Sequence, residues 1–359
     1  MTDTTATAGN WGWTERFVEV DGQRLRTVTQ GDGPLVLMIH GFPGLAWSWR
    51  HQMAPLAKAG FRAVAIDSLG YGGSDRPLDQ SLYTAERMQA YLLGVLDAYG
   101  AENAFVIGQD FGAQYAWNLA VRSPERVRAL IATIPYDYDL AGRAMLGSKP
   151  RFDPAEPALP EGASPDRLPS ERFAAMAAGH FVHLHYFQKV GAAEAELAGR
   201  IPQFLAALFY ALSADGDLWS WKAVTTQDSG YLDALPPPPP LPWPWLSEEE
   251  FARFVAAYDH PDPMCRMIGG MNSYRTADAN WEQGRAWADA DVTVPTLFVY
   301  GAKDPSFGFF PDWEERMKRR VPGLQGIVPI AGAGHFVQQE TPEAFNRTIL
   351  DFLTRSDFK

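Results

Sequence analysis

Cysteine is almost missing from this chain: Cys265 is the single one in 359 residues. An internal disulfide framework is therefore excluded, and the composition fits a reducing compartment, so a cytoplasmic location is expected. Basic residues are also short, with 31 Lys and Arg against 43 Asp and Glu and a formal net charge of -12. Nucleic acid and anionic membrane surfaces require a basic stripe, so neither is expected as a partner. There is no run of about 18 apolar residues to span a bilayer. The first ten residues lack a basic segment followed by an apolar one, and read as a frayed start rather than a secretion signal. No internal repeat is evident. What is present is 46% hydrophobic and 21% charged residues, enough to bury a large core in a globular chain carrying a substantial insertion.

Apolar runs alternate with helical spacing along the chain. Residues 17–20, an Asp21-Gly22 turn and residues 25–29 predict a β-hairpin. Residues 35–39, 63–66, 104–107 and 129–134 are apolar runs of the kind buried on both faces of a parallel sheet. Residues 83–99 place Met88, Tyr91, Leu92, Val95 and Leu96 on one helical face. The alternation stops at Pro135. Regular structure is expected to be sparse from 136 to about 170, and helical patterns follow over 171–189, 192–212, 247–258 and about 265–276. It resumes with strands at 296–300 and 325–330 and a closing helix over 342–353. The expected architecture is a doubly wound, mostly parallel α/β core, residues 1–135 and 283–359, with a helical cap, 136–282, inserted after the sixth strand. Within the cap, the Pro-rich loop 235–246 holds five consecutive prolines. It reads as a stiff polyproline II spacer with its tryptophans packed down, rather than as a recognition tag.

The chemistry centres on Gly108-Gln109-Asp110-Phe111-Gly112, where a buried run ends and a helix pattern begins. In such a nucleophile elbow the strand turns sharply into the helix and pushes the central residue to the tip. A carboxylate there points to attack on carbon bearing a leaving oxygen or halide, with an ester formed on the enzyme. The competing reading is a Gly-rich turn with an exposed acid. Gly70 and Gly72 do not make a dinucleotide loop, because Asp75 stands at the third glycine position and Pro77 follows. His180, His183 and His185 do not suggest a metal, since no carboxylate or Cys within a turn completes the ligands. No cofactor is expected.

Taken in order, His40-Gly41-Phe42-Pro43 with the flank 45–52, the stretch 67–74, Gly108 to Gly112, Gly301-Ala302-Lys303-Asp304 and Gly334-His335-Phe336 resemble the soluble-type epoxide hydrolases of the α/β-hydrolase fold. The resemblance spans nearly the whole chain. It implies that Asp110 is the nucleophile, His335 the base that activates water, and Asp304 its orienting acid, with Asp137 or Asp139 as alternative partners. It makes the N–H groups of Phe42 and Phe111 the oxyanion hole, and it lines the substrate site with Phe42, Phe111 and Tyr186. Two cap donors would protonate the opened ring: Tyr274 matches one, and His183 stands where the family usually has a second tyrosine. His185 or Tyr186 is the alternative if the register slips. A His/Tyr pair resembles a minority of bacterial members. Being a histidine, His183 can lose its charge near neutrality, and burial under an apolar cap would lower its pKa and leave a neutral ring, so ester formation is expected to show an alkaline limb below the range of a phenol. Gln109 and Phe111 depart from the family's commoner His and Trp. The expected partner is a small epoxide, the chain being a monomer or homodimer. Hydrolytic dehalogenation by the same Asp/His pair is the rival, disfavoured because Phe111 and Phe42 stand where a Trp or an Asn usually grips the halide. A non-catalytic receptor on this fold is the third reading.

Overall fold

The computed structural model describes residues 6–8, 11–136, 168–219, 224, 229–287, 290–309, 313–355 and 358. Its strands are β1 (Ala6–Ala8), β2 (Trp13–Val20), β3 (Gln23–Gln30), β4 (Leu35–Ile39), β5 (Arg62–Ile66), β6 (Ala104–Gly108), β7 (Val127–Ala132), β8 (Thr296–Gly301) and β9 (Leu324–Ile330). They form one sheet in the order β1-β2-β3-β5-β4-β6-β7-β8-β9. Pairing is antiparallel from β1 to the β3–β5 contact and parallel from there on. The hairpin β2–β3 closes through Asp21 and Gly22, both with positive φ, the combination that matches strand twist in a two-residue turn. The short strand β1 adds an edge that the hydrophobic pattern did not mark.

Side-chain alternation along the central strands builds two cores. Leu35, Leu37 and Ile39 face one side, where α2 (Ala85–Ala98) and α3 (Phe111–Arg122) pack; Val36 and Met38 face the other, covered by α1 (Arg50–Lys58) and the C-terminal helix Pro342–Leu353. The chain leaves β4 towards β5 and then returns across it to β6, so the sheet has a switch point where β4 and β6 lie side by side, Ile39 opposite Gly108. Loops following the carboxyl ends of these two strands therefore converge, which is where ligands bind in open α/β sheets.

Between β7 and β8 the described residues form only helices: α4 (Pro169–Met176), α5 (His183–Tyr186), α6 (Ala192–Glu196), α7 (Ile201–Leu212), α8 (Tyr231–Ala234), α9 (Glu248–Ala257), α10 (Ile268–Arg275) and α11 (Ala277–Gly284). Two expected long helices are each broken in two. The first ends before Gly179, and beyond it the Phe181 N–H donates to Val224 O at 2.6 Å rather than to its own helix. The second breaks at Gly199, whose φ is 72°, and Pro202 restarts it near the beginning of α7. In the Pro-rich loop, Trp243 is buried and donates to Pro239 O at 3.1 Å, while Trp245 stacks on Phe336 at 5.8 Å. After β8 come α12 (Trp313–Arg320), α13 (Val337–Glu340) and α14 (Pro342–Leu353).

One ion pair inside the helical segment is sealed from water. Arg275 Nη1 lies 2.8 Å from Glu194 Oε1, with side-chain exposures of 2% and 3%, and Arg275 Nε donates to Phe187 O at 2.8 Å. Arg275→Ala strands the Glu194 carboxylate and is expected to lower unfolding free energy by about 3–5 kcal/mol. The double change Arg275→Met with Glu194→Gln removes both charges and should recover most of that loss in urea melts; equal losses in the two variants would contradict the assignment.

Candidate active site

The switch point holds Asp110 at the tip of a sharp turn, with φ 53° and ψ -124°. A non-glycine residue rarely adopts this region, and here the packing leaves no alternative. A Cβ on Gly108 would meet Gly112 O at 2.4 Å, and one on Gly112 would meet Ile39 O at 2.0 Å. The elbow glycines thus let α3 start directly against β4 and β6. The Phe42 N–H donates to Asp110 Oδ1 at 2.8 Å. The Phe111 N–H, first in α3, has no intrahelical acceptor and adds to the positive end of the helix. The loop that carries Phe42 is pinned by the stretch after β5: Asp67 Oδ1 accepts from Ala46 N–H at 2.8 Å, and His40 Nε2 from Ser68 N–H at 3.1 Å. Burial lowers the His40 pKa, consistent with a neutral ring that also donates through Nδ1 to Gly41 O at 2.7 Å.

His335 and Asp304 come from the loops after β9 and β8. His335 Nδ1 is 2.9 Å from Asp304 Oδ2, and its Nε2 is 3.6 Å from Asp110 Oδ2. Asp304 Oδ1 is occupied by Ser306, whose N–H donates at 2.8 Å and hydroxyl at 2.5 Å. Burial alone would depress the imidazole, but the carboxylates of Asp304 and Asp110 outweigh it and raise the His335 pKa to about 10. Gln109, one of the two departures, donates from Nε2 to His335 O at 3.3 Å. Asp137 and Asp139 lie outside the described residues.

A carboxylate that the sequence reading did not single out clasps the histidine loop. Glu340 accepts from the N–H of Gly334 and of Phe336, on either side of His335, and from Ala214 N–H just beyond α7, all at 2.8–2.9 Å. The His335 N–H in turn donates to Leu212 O at 3.0 Å. Only an acidic residue five positions after the histidine hints at this in the sequence, and the contact exists because α13 folds back.

Above the elbow stands α10. A Cβ on Gly269 would meet Tyr71 Cε2 at 2.3 Å and one on Gly270 would meet Phe42 Cδ2 at 2.1 Å, so the helix rests almost directly on the core. Ser273 donates to Gly269 O at 2.7 Å, and the Tyr115 hydroxyl lies 3.0 Å from Ser273 Oγ. This docking brings the Tyr274 ring to 4.9 Å from Phe111, 5.5 Å from His183 and 6.3 Å from Phe42. His183 opens α5, and burial lowers its pKa to about 4, with Asp110 pulling weakly the other way. This is the lowering expected of a histidine buried under an apolar cap, and it moves any limb on ester formation to lower pH. Tyr186, expected to line the substrate site, donates its hydroxyl to Glu196, while its ring packs on Phe187 and Tyr231 at 5.6 and 6.2 Å. Among the described residues no ring contact joins His185 to the cluster. The cluster also includes Phe187, stacked on Tyr274 at 4.9 Å, and Tyr231 of α8, neither of which carries a local sequence signal. Among the described residues no group of three or more His, Cys, Asp or Glu is placed to hold a metal, and no helix is long and apolar enough to cross a membrane.

Comparison with known proteins agrees with this geometry. Residues 34–184 match the family described as the alpha/beta hydrolase fold. The chain is 36% identical to Epoxide hydrolase A of Mycobacterium tuberculosis over 95% of this chain and 97% of that one. It is 32% identical to Epoxide hydrolase 3 of Siraitia grosvenorii, over 94% and 97% respectively. Among solved structures, Epoxide Hydrolase A from Mycobacterium thermoresistibile is 37% identical with a TM-score of 0.79, covering 95% of this chain and 98% of that one. Potato (Solanum tuberosum) epoxide hydrolase I is 31% identical with a TM-score of 0.76, over 94% and 98%. Likeness at this level along almost the whole chain means that the protein belongs to the epoxide hydrolases of the α/β-hydrolase fold.

Proposed function

We propose that this chain hydrolyses an epoxide to a vicinal diol through an ester on Asp110. The observation that carries the reading is the division of labour at one carboxylate: Oδ1 accepts the Phe42 N–H, while Oδ2, the attacking oxygen, faces His335 Nε2 at 3.6 Å. In the first step Oδ2 bonds to an epoxide carbon, the C–O bond of the ring breaks, and its electron pair goes to the ring oxygen. Tyr274 gives that oxygen a proton, with a hydrogen bond from neutral His183. Once the ester has formed, the His335 imidazolium releases its proton, which returns through solvent to the Tyr274 phenolate. In the second step the neutral imidazole takes a proton from water, and the hydroxide adds to Asp110 Cγ. The charge that develops on Oδ1 is held by the N–H groups of Phe42 and Phe111, a type of contact worth about 10²–10³ in rate per donor. Collapse expels the diol with Oδ2, the departing oxygen taking the proton from His335. After product release the new acid proton of Asp110 goes back to His335. Asp304 holds the imidazole through Nδ1. Tyr186 serves as a packing residue in this scheme.

The electrostatics order the two steps. Two carboxylates hold His335 as imidazolium in the resting site; esterification neutralises one of them, so the imidazole pKa falls and the ring becomes a base only after alkylation. A dehalogenase or a receptor on this fold is not favoured, since the matching relatives are named epoxide hydrolases. We assign the core to residues 1–135 and 283–359 and the cap to 136–282, with a cytoplasmic monomer or homodimer as the working form and a small epoxide as its partner.

His335→Gln is expected to accumulate a protein adduct equal to the substrate mass, and Asp110→Asn to accumulate none; an adduct on Asp110→Asn by intact mass would end the assignment. In Asp304→Asn, rapid-quench kinetics should show hydrolysis of the ester slowed by about 10²–10⁴ with its formation little changed. The pH dependence follows from the sign of the shift: ester hydrolysis should rise with pH through one deprotonation lying below about 10, the resting pKa of His335, whereas a flat profile from pH 5.5 to 10 would rule out imidazole as the base. Glu340→Gln keeps one carbonyl oxygen for three N–H donors and should slow ester hydrolysis about tenfold while sparing ester formation. Parallel slowing of both steps would mean that Glu340 supports the fold alone.

A further inference from the structure

Tyr231 opens α8 and is 6% exposed, yet its hydroxyl donates to nothing among the described residues. A buried hydroxyl without a partner needs a reason, because desolvating it costs free energy that no hydrogen bond returns. Unlike the Tyr91 hydroxyl, the oxygen is not fully enclosed by protein. Its neighbours are residues of the site. Phe42, whose N–H holds Asp110, packs on Phe187 at 6.3 Å and Phe204 at 6.0 Å, and both rings touch Tyr231, at 5.2 and 5.1 Å. The Asp110 and Glu196 carboxylates add to burial in raising the Tyr231 pKa, so the hydroxyl keeps its proton and acts as a donor.

Its position differs from that of Tyr274. Both tyrosines stack on Phe187, with interplanar angles of 25° and 28°, and their own rings are not in contact. His183 is edge-on to both, at 5.5 and 6.3 Å. The placement of Tyr231 is also rigid: Glu196 accepts the N–H of Tyr231 at 2.9 Å and of Leu232 at 2.8 Å, capping α8, and the Tyr186 hydroxyl as well. The charges that act on the Tyr231 hydroxyl are the carboxylates of Asp110 and Glu196, which disfavours an anionic group beside it.

We propose that the Tyr231 hydroxyl is a second polar subsite of the substrate cavity, donating to a neutral oxygen (ether, carbonyl or hydroxyl) on the substituent of an otherwise apolar epoxide. This rests on the epoxide hydrolase reading and adds the substrate class to it. The step is binding only; no bond is made or broken at Tyr231.

The test compares 1,2-epoxyoctane with ethers in which successive methylenes of its chain are replaced by oxygen, using wild type, Tyr231→Phe and Tyr274→Phe. Wild type should favour the ether of fitting position by about fivefold to tenfold in kcat/KM, and Tyr231→Phe should abolish that preference while leaving 1,2-epoxyoctane within about twofold. Tyr274→Phe should slow all substrates alike. The phenylalanine keeps the ring packing, and an unchanged melting temperature verifies it. Equal losses on the alkyl and ether substrates would place Tyr231 on the epoxide oxygen and overturn the subsite, as would no loss on any. Failure of the activity itself would look different: no turnover in wild type and no adduct on His335→Gln with any of the probes.

Discussion

The backbone of Asp110 is the constraint from which the rest follows. A carboxylate residue at φ 53° and ψ -124° is strained by about 1–3 kcal/mol, and it persists because Gly108, Gly112 and Ile39 meet backbone to backbone beneath it. The same tight passage from strand to helix aims the start of α3 at the carboxylate and sets it beside the loop after β4, whose Phe42 N–H then reaches Oδ1. Both hydrophobic cores flank this point, so the strain is spread through the best-packed part of the molecule rather than through a loop.

From that position the charge of one residue is felt across the site. Asp110 raises the pKa of His335, opposes the burial of His183 and adds to the raised pKa values of Tyr71, Tyr115 and Tyr231. A reaction that turns this carboxylate into a neutral ester therefore resets every titratable neighbour at once, without any movement of the chain. The apolar lining makes the effect larger, since little water is present to screen it.

How much of this was readable in the sequence depended on the range of the forces involved. The elbow was legible because five adjacent residues determine it, and the Asp21-Gly22 hairpin for the same reason. The buried strands announced themselves as apolar runs, and His335 and Asp304 as residues of ordered motifs whose loops the sheet then brings together. The partner of Tyr186 could not be read: its helix places the ring near the site, and only Glu196, ten residues on, decides where the hydroxyl goes. The break in the first expected cap helix involves a hydrogen bond between Phe181 and Val224, remote in sequence, whereas the second lies at Gly199 and Pro202, which the sequence does display. Tyr231 and Glu340 act through tertiary contacts that no periodicity encodes, and the burial that keeps His183 neutral is likewise a property of its surroundings.

The docking of α10 on the core bears on how firmly the parts of the site are held. At Gly269 and Gly270 the helix backbone lies directly on the rings of Tyr71 and Phe42, so the height of Tyr274 above the elbow is set by those two rings and the two glycines. The short helices α5 and α8 are held differently, through side chains that meet at Glu196 and Phe187. The spacing between Asp110 and Tyr274 is thereby held more firmly than the positions of His183 and Tyr231, which ride on four-residue helices.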